Sequence, residues 1–153
     1  MFVGAAFVSP AAVPAMAGAA DVVAGLGAPE GVVRAALVPN VRGAELALAA
    51  GIDELTVTIS ASATYNQRNV RMSIDESLAA IAAICVLAGP VPVDAVISCA
   101  FGSPYEGDSL PADVALLAER LRASGASAVT LADTTGMATP RRIDDVLLRP
   151  GPP

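Results

Sequence analysis

No histidine, lysine or tryptophan occurs in the 153 residues. The missing histidine removes the usual general base, the Ser–His and Cys–His nucleophile pairs and the commonest metal ligand. Nine cations, all arginine, face fifteen carboxylates for a net charge of -6, which excludes a broad basic patch for nucleic acid. Aromatic residues make up only 3% of the chain against 54% hydrophobic residues. Its core must therefore be built from Ala, Val, Leu and Ile, the composition of buried parallel strands and their covering helices. Two cysteines, Cys85 and Cys99, lack CxxC spacing and point to reduced thiols in the cytoplasm rather than a disulfide. No stretch reaches the ~18 apolar residues of a membrane span. The first twenty residues are uncharged and end near Ala15-Met16-Ala17-Gly18, like a signal peptide. A basic start is missing, however, and Pro10 and Pro14 interrupt the apolar run, so a signal is not expected.

Strand and helix patterns alternate through what is there. Phe2 to Val8 reads as a strand ended by Ser9-Pro10, and Ala11 to Leu26 as a helical segment with Pro14 in its first turn. Val32 to Val38 is a second strand, after which Asn40 caps a helix over Val41 to Ala50 and Gly51 stops it. Glu54 to Ile59 is a third strand, followed by Ser60-Ala61-Ser62 and a polar loop from Thr64 to Arg71. Ser73 and Glu76 have capping-box spacing and open a helix striped by Leu78, Ile81, Ile84, Cys85 and Ala88. Val93 to Cys99 is a fourth strand leading into a Gly/Pro/Tyr/Glu loop. Pro111 then starts a helix carrying Val114, Leu117, Ala118 and Leu121, which Gly125 ends. Ala128 to Leu131 is a fifth strand, and Thr139-Pro140 caps a last helix over Arg141 to Leu148.

Five consecutive βα units predict an α/β fold with a parallel sheet and right-handed crossovers. Alternation alone does not separate an open sheet from a barrel. No Gly-rich dinucleotide fingerprint or P-loop follows any strand, and five units fall short of the roughly 250 residues of a closed eight-stranded barrel.

Parallel strands end on one face, here with Ser9, Asn40, Ser60 and Ser62, Ser98 and Cys99, and Asp133 and Thr134. Small polar groups with one carboxylate resemble an active-site floor, although the same residues cap helices and shape turns. Capping is the better reading for Asn40, Ser73 and Thr139. Asp133 ends an apolar strand six residues before its helix cap, so capping explains it poorly and a functional role stays open. Cys99 lacks any histidine or lysine to lower its pKa, which favours packing over nucleophilic attack. Tyr105 and Glu106 lie on a loop, where substrate contact, a conformational role and a solvated turn all remain open.

Several motifs occur in a telling order: Phe7-Val8-Ser9-Pro10, Pro39-Asn40-x-x-Gly43, Ser60-Ala61-Ser62 with Asn66 and Asn69, Ser98-Cys99-Ala100-Phe101-Gly102-Ser103-Pro104-Tyr105-Glu106-Gly107, and Asp133-Thr134-Thr135-Gly136 with Thr139-Pro140. Together they resemble the hydroxymethylglutaryl-CoA lyase family of metal-dependent TIM-barrel lyases, from about the second barrel strand to the sixth helix. The resemblance implies a partial TIM (β/α)8 barrel over residues 1–148, with a Pro/Gly-rich tail at 149–153. It implies cleavage of 3-hydroxy-3-methylglutaryl-CoA to acetyl-CoA and acetoacetate, a step of leucine degradation and ketone-body formation. In that retro-Claisen reaction a base takes the C3 hydroxyl proton while a magnesium or manganese ion stabilises the enolate charge. By resemblance Asp133 takes part in proton transfer, while Asn40, Ser62, Ser98, Tyr105 and Thr130 line the pocket for the acyl-CoA substrate.

The departures from the family are specific. Its catalytic arginine and metal-binding aspartate belong to a first strand, and its H-x-H metal ligands to a seventh, neither matched here. A glutamate expected on strand two is replaced around Phe2-Val3, and the one usually following Ser62 is Ala63. The resemblance therefore implies a chain without the cation's protein ligands, inactive alone. A complementing chain would supply what is missing, or the chain would be a non-catalytic acyl-CoA-binding remnant; a homo-oligomer is the other assembly left open. Nucleic-acid and membrane partners are not expected.

Overall fold

Residues 2–9, 11 and 13–148 are described by a computed structural model. The expected tail at 149–153 lies outside them, as does Pro10. Five strands, β1 (Phe2–Ala6), β2 (Arg34–Leu37), β3 (Glu54–Ser60), β4 (Val93–Ser98) and β5 (Ala128–Leu131), form one sheet. Their spatial order is their chain order, and every pairing is parallel. Helices α1 (Ala19–Leu26), α2 (Val41–Ala49), α3 (Ala63–Val70), α4 (Ile74–Ala88) and α5 (Pro111–Ala123) fill the crossovers, and α6 (Pro140–Leu147) follows β5. The α/β fold with a parallel sheet expected from the alternation is what the chain adopts, in the strand order of the partial barrel that the resemblance implies.

Register sorts the strand residues onto two faces. Ala36, Leu55 and Val93 align, then Val57 and Ala95, then Ile59 and Ile97, all nearly inaccessible. This face packs into one core with Leu78, Ile81 and Ile84 of α4 and Val114, Leu117 and Leu121 of α5. The opposite face is open: Thr56, Thr58, Asp94, Val96 and Ser98 are partly exposed, and Ala128 and Thr130 are exposed. In a closed barrel that face would be the interior.

Local signals set most helix starts. Ser73 accepts from the Glu76 N–H at 3.2 Å, and Glu76 accepts from the Ser73 N–H at 2.8 Å, a complete capping box. Asn40 accepts from the Gly43 N–H at 2.9 Å, and Thr139 caps α6 through Arg142. At Gly43 the backbone runs so close to β1 that a Cβ would sit 2.6 Å from the Phe7 carbonyl oxygen. Only glycine lets α2 seat there.

Two expectations fail. The polar stretch from Thr64 to Arg71 is not a loop but helix α3, capped by Ser62 and closed by Arg71 at φ 59°. The segment from Ala11 to Leu26 is not one helix. A 3-10 turn spans Pro14–Met16, and Gly18 at φ 82° separates it from α1. A left-handed residue ends a right-handed helix whatever the propensity of its alanine neighbours.

Candidate functional site

The carboxyl ends of the strands share one edge, where the fourth loop is fixed to its neighbour by a single carboxylate. Glu106 accepts from the Ser103 hydroxyl at 2.5 Å and from the Ser62 hydroxyl, and from the Thr64 N–H at 2.9 Å. Hydrogen bonds from Ser103, then Ser62 and Thr64, hold its pKa at about 2. All three donors are neutral, so the charge is solvated by the protein but not cancelled. Ser103 also pairs its backbone with Gly107 at 2.8 and 2.9 Å, closing the loop on itself. Glu106 thus takes the conformational role among the options open to it, tying the β4 loop to the cap of α3.

Below this clasp Asn66 is buried to 1% exposure and fully engaged. Its Oδ1 accepts from the Ser60 N–H at 3.0 Å, and its Nδ2 donates to the Met72 carbonyl and the Ser77 hydroxyl, both at 2.8 Å. One amide therefore joins the end of β3 to the start of α4. A cleft of about 320 Å³ opens beside Glu106, lined by Ser62, Ser103, Asp108 and Asp113 among others.

Of the six residues to which the resemblance gives a site role, Ser62 lines this cleft and the other five do not. Asn40 sits at the end of β2 with its side-chain oxygen occupied in the α2 cap. Ser98 ends β4 on the open face, its carbonyl accepting from Ala61 and Ser60. Thr130 lies deeper on that face, its hydroxyl donating to the Asp94 carboxylate at 3.0 Å. Tyr105 is exposed on the β4 loop, stacked with Arg68. Asp133 follows β5, exposed, with Oδ1 accepting from the Met137 N–H at 2.9 Å. The edge thus gathers Asn40, Ser62, Ser98 and Asp133, whereas Tyr105 stands outside on its loop and Thr130 one layer down.

Cys99 is buried at φ 55°, a left-handed backbone that carries the chain out of β4. Burial pushes its thiol pKa up, against the direction a nucleophile needs. Sequence reasoning missed Asn66 as a junction, the Arg142 contacts to Asp108 at 2.6 Å and to the Met137 carbonyl at 2.5 Å, and the Thr135 hydroxyl on the Gly102 carbonyl. Asn66, in the Ser60-to-Asn69 motif, and Thr135, in the Asp133-to-Gly136 motif, each left a sequence signal; the Arg142 contacts left none.

Among the described residues, no three His, Cys, Asp or Glu side chains come together to hold a metal ion. Asp133 has one oxygen committed to its own turn. The donor set here does not fit the divalent cation that the resemblance implies.

A family model described as HMGL-like matches residues 3–149. A Pseudomonas aeruginosa 3-hydroxy-3-isohexenylglutaryl-CoA/hydroxy-methylglutaryl-CoA lyase is 44% identical over 135 residues, 87% of this chain and 45% of its own length. The crystal structure of the HMG-CoA lyase from Brucella melitensis superposes with a TM-score of 0.89 at 36% identity, covering 93% of this chain and 51% of that one. An HMG-CoA lyase from Acinetobacter baumannii, in complex with coenzyme A and 3-methylmalate, gives a TM-score of 0.87 at 34% identity, covering 93% and 47%. The chain spans about half the length of the relatives it matches.

Proposed function

Because the chain belongs to the HMGL-like family, we propose that it forms the middle of a lyase barrel cleaving 3-hydroxy-3-methylglutaryl-CoA to acetyl-CoA and acetoacetate. The observation that supports this best is the open sheet face. It carries Thr56, Thr58, Ser98 and Thr130 where a wholly structural sheet would carry apolar groups. These hydroxyls suit the polar thioester and carboxylate of the substrate.

Asp133 stands at the carboxyl edge of that face, with Oδ1 anchored by Met137. The anchor fixes the carboxylate while Oδ2 is left to exchange a proton with the substrate hydroxyl. Ser62 and Ser98 bound the pocket, Asn40 shapes its wall through the α2 cap, Thr130 closes its floor with Asp94, and Tyr105 covers its rim. A magnesium or manganese ion would have to draw its ligands from outside the described residues, for which a complementing chain is one source. The free thiols Cys85 and Cys99 support a reducing, cytoplasmic setting, and no helix among the described residues is long and apolar enough to cross a membrane.

The test is an acetoacetate assay with 3-hydroxy-3-methylglutaryl-CoA and manganese. The 153 residues alone are expected to release none. Co-expression with a chain supplying an Ala-Arg-Asp-Gly strand and an H-x-H strand is expected to restore turnover, abolished by Asp133→Asn. Turnover by the chain alone overturns the shared-site reading. Silence under complementation overturns the lyase reading.

A further inference from the structure

Arg142 stands in the first turn of α6, yet its guanidinium serves two loops. Nη1 donates to the Met137 carbonyl at 2.5 Å, in the loop after β5, and Nη2 to the Asp108 carboxylate at 2.6 Å, in the loop after β4. The same Met137 donates its N–H to Asp133 Oδ1 at 2.9 Å. Its side chain rests on Gly102, where an added Cβ would lie 2.8 Å from the Met137 methyl carbon. Beside it the Thr135 hydroxyl donates to the Gly102 carbonyl at 2.8 Å. Met137 is therefore gripped at its carbonyl, its N–H and its side chain. Little else holds this turn. Asp133 and Thr134 are exposed, so burial does not fix the carboxylate, and Gly136 at φ 71° gives the backbone its freest residue. Arg142, with a side chain 35% exposed, is the more enclosed partner. A planar guanidinium engaged at both nitrogens has one orientation to take.

We propose that Arg142 is a positioning residue for the Asp133 carboxylate, acting through Met137, with Asp108 fixing the guanidinium. The guanidinium bonds to Met137 and Asp108 and not to Asp133 itself. Holding the carbonyl and the N–H of one residue fixes both of its backbone dihedrals. Oδ1 then has a stationary donor and Oδ2 a stationary direction, the condition for proton exchange at a set place. Asp108 lies on the loop that Glu106 clasps to α3, so the carboxylate is aligned with the β4 loop as well as with its own. The proposal rests on the lyase reading for the reaction it serves, whereas the hold on Asp133 belongs to the 153 residues alone.

The test reads the Met137 amide proton by NMR in the 153-residue chain. Asp133→Ala removes its acceptor and calibrates the resonance without the bond. Arg142→Ala is expected to move the proton most of the way to that position and to speed its solvent exchange about tenfold. Arg142→Lys should lie in between, and Asp108→Asn should give a smaller shift in the same direction. Circular dichroism and the amide of Val146, in the part of α6 that packs on the core, control for folding. In the complemented pair, Arg142→Ala should lower kcat about tenfold at nearly constant KM, with partial recovery in Arg142→Lys. A Met137 proton unmoved by Arg142→Ala, an unchanged kcat, or no recovery by lysine overturns the proposal. Where Arg142→Ala melts α6, a Met137 proton unmoved by both Arg142→Lys and Asp108→Asn overturns it equally. Silence of the wild-type pair removes the lyase reading, and the Met137 shift then decides alone whether Arg142 sets the carboxylate.

Discussion

The two edges of the sheet are each fastened by a carboxylate held near pKa 2, and by opposite means. At the amino edge Asp53 meets Arg34 in a bidentate pair at 2.9 and 3.0 Å, while Arg34 also donates to the Gly27 and Gly51 carbonyls. The Arg34 contacts hold the Asp53 pKa at about 2, and charge is cancelled on the spot. At the carboxyl edge Glu106 is held by neutral donors and keeps its charge. The first edge is a closed structural joint. The second leaves a fixed negative group beside an open cleft, solvated by the hydroxyls of Ser62 and Ser103 rather than neutralised.

The largest break in this contrast should come from the carboxyl edge. Asn66→Ala strips partners from the Ser60 N–H, the Ser77 hydroxyl and the Met72 carbonyl together. A loss of about 3 kcal/mol is expected in urea unfolding, read from the midpoint at constant slope. A loss below about 1 kcal/mol would show that water replaces the amide without penalty.

Acid should loosen both edges. Both folded pKa values lie below the ordinary values of 3.8 for Asp53 and 4.5 for Glu106, so the stabilisation is complete above about pH 5. It is lost as pH falls towards 2, by on the order of 1–2 kcal/mol in total after solvent screening. Glu106→Gln should remove the part of that acid loss beginning near 4.5 and speed proteolytic cutting of the β4 loop several-fold. Equal cutting rates in wild type and variant would make the clasp incidental.

Asp53→Asn should have the smallest effect, under about 1 kcal/mol, and it sharpens the contrast through salt. Wild type should lose part of its stability in 1 M sodium chloride by screening of the Arg34 pair, and the variant should not. Glu106→Gln should leave that salt response intact. A salt response surviving Asp53→Asn would place its origin elsewhere.

What could be read in advance followed distance along the chain. Asn40, Ser73 and Thr139 were legible as caps because donor and acceptor lie three residues apart. The strands were legible because their apolar runs face a core. Helix α3 was not, since Thr64 to Asn69 shows no apolar stripe and its start is braced by Glu106 from a loop over forty residues away. Arg34 with Asp53, and Arg142 with Asp108, join positions 19 and 34 apart and carry no local signal. For the site, position at the strand ends was readable. That the Asp133 carboxylate bends to the Met137 N–H, and that Tyr105 meets both Arg68 and Tyr65, depends on loop paths that only the folded chain sets.

Strand order equal to chain order has a kinetic consequence. Each βα unit of this sheet pairs only with the units before and after it, so every contact between strands closes a single crossover loop. A nascent chain leaving the ribosome can therefore add strands one at a time, as a stacked repeat protein does, without waiting for a distant segment. Among the described residues the same order leaves one side of β5 without a strand partner, a row of backbone groups on which another strand can pair.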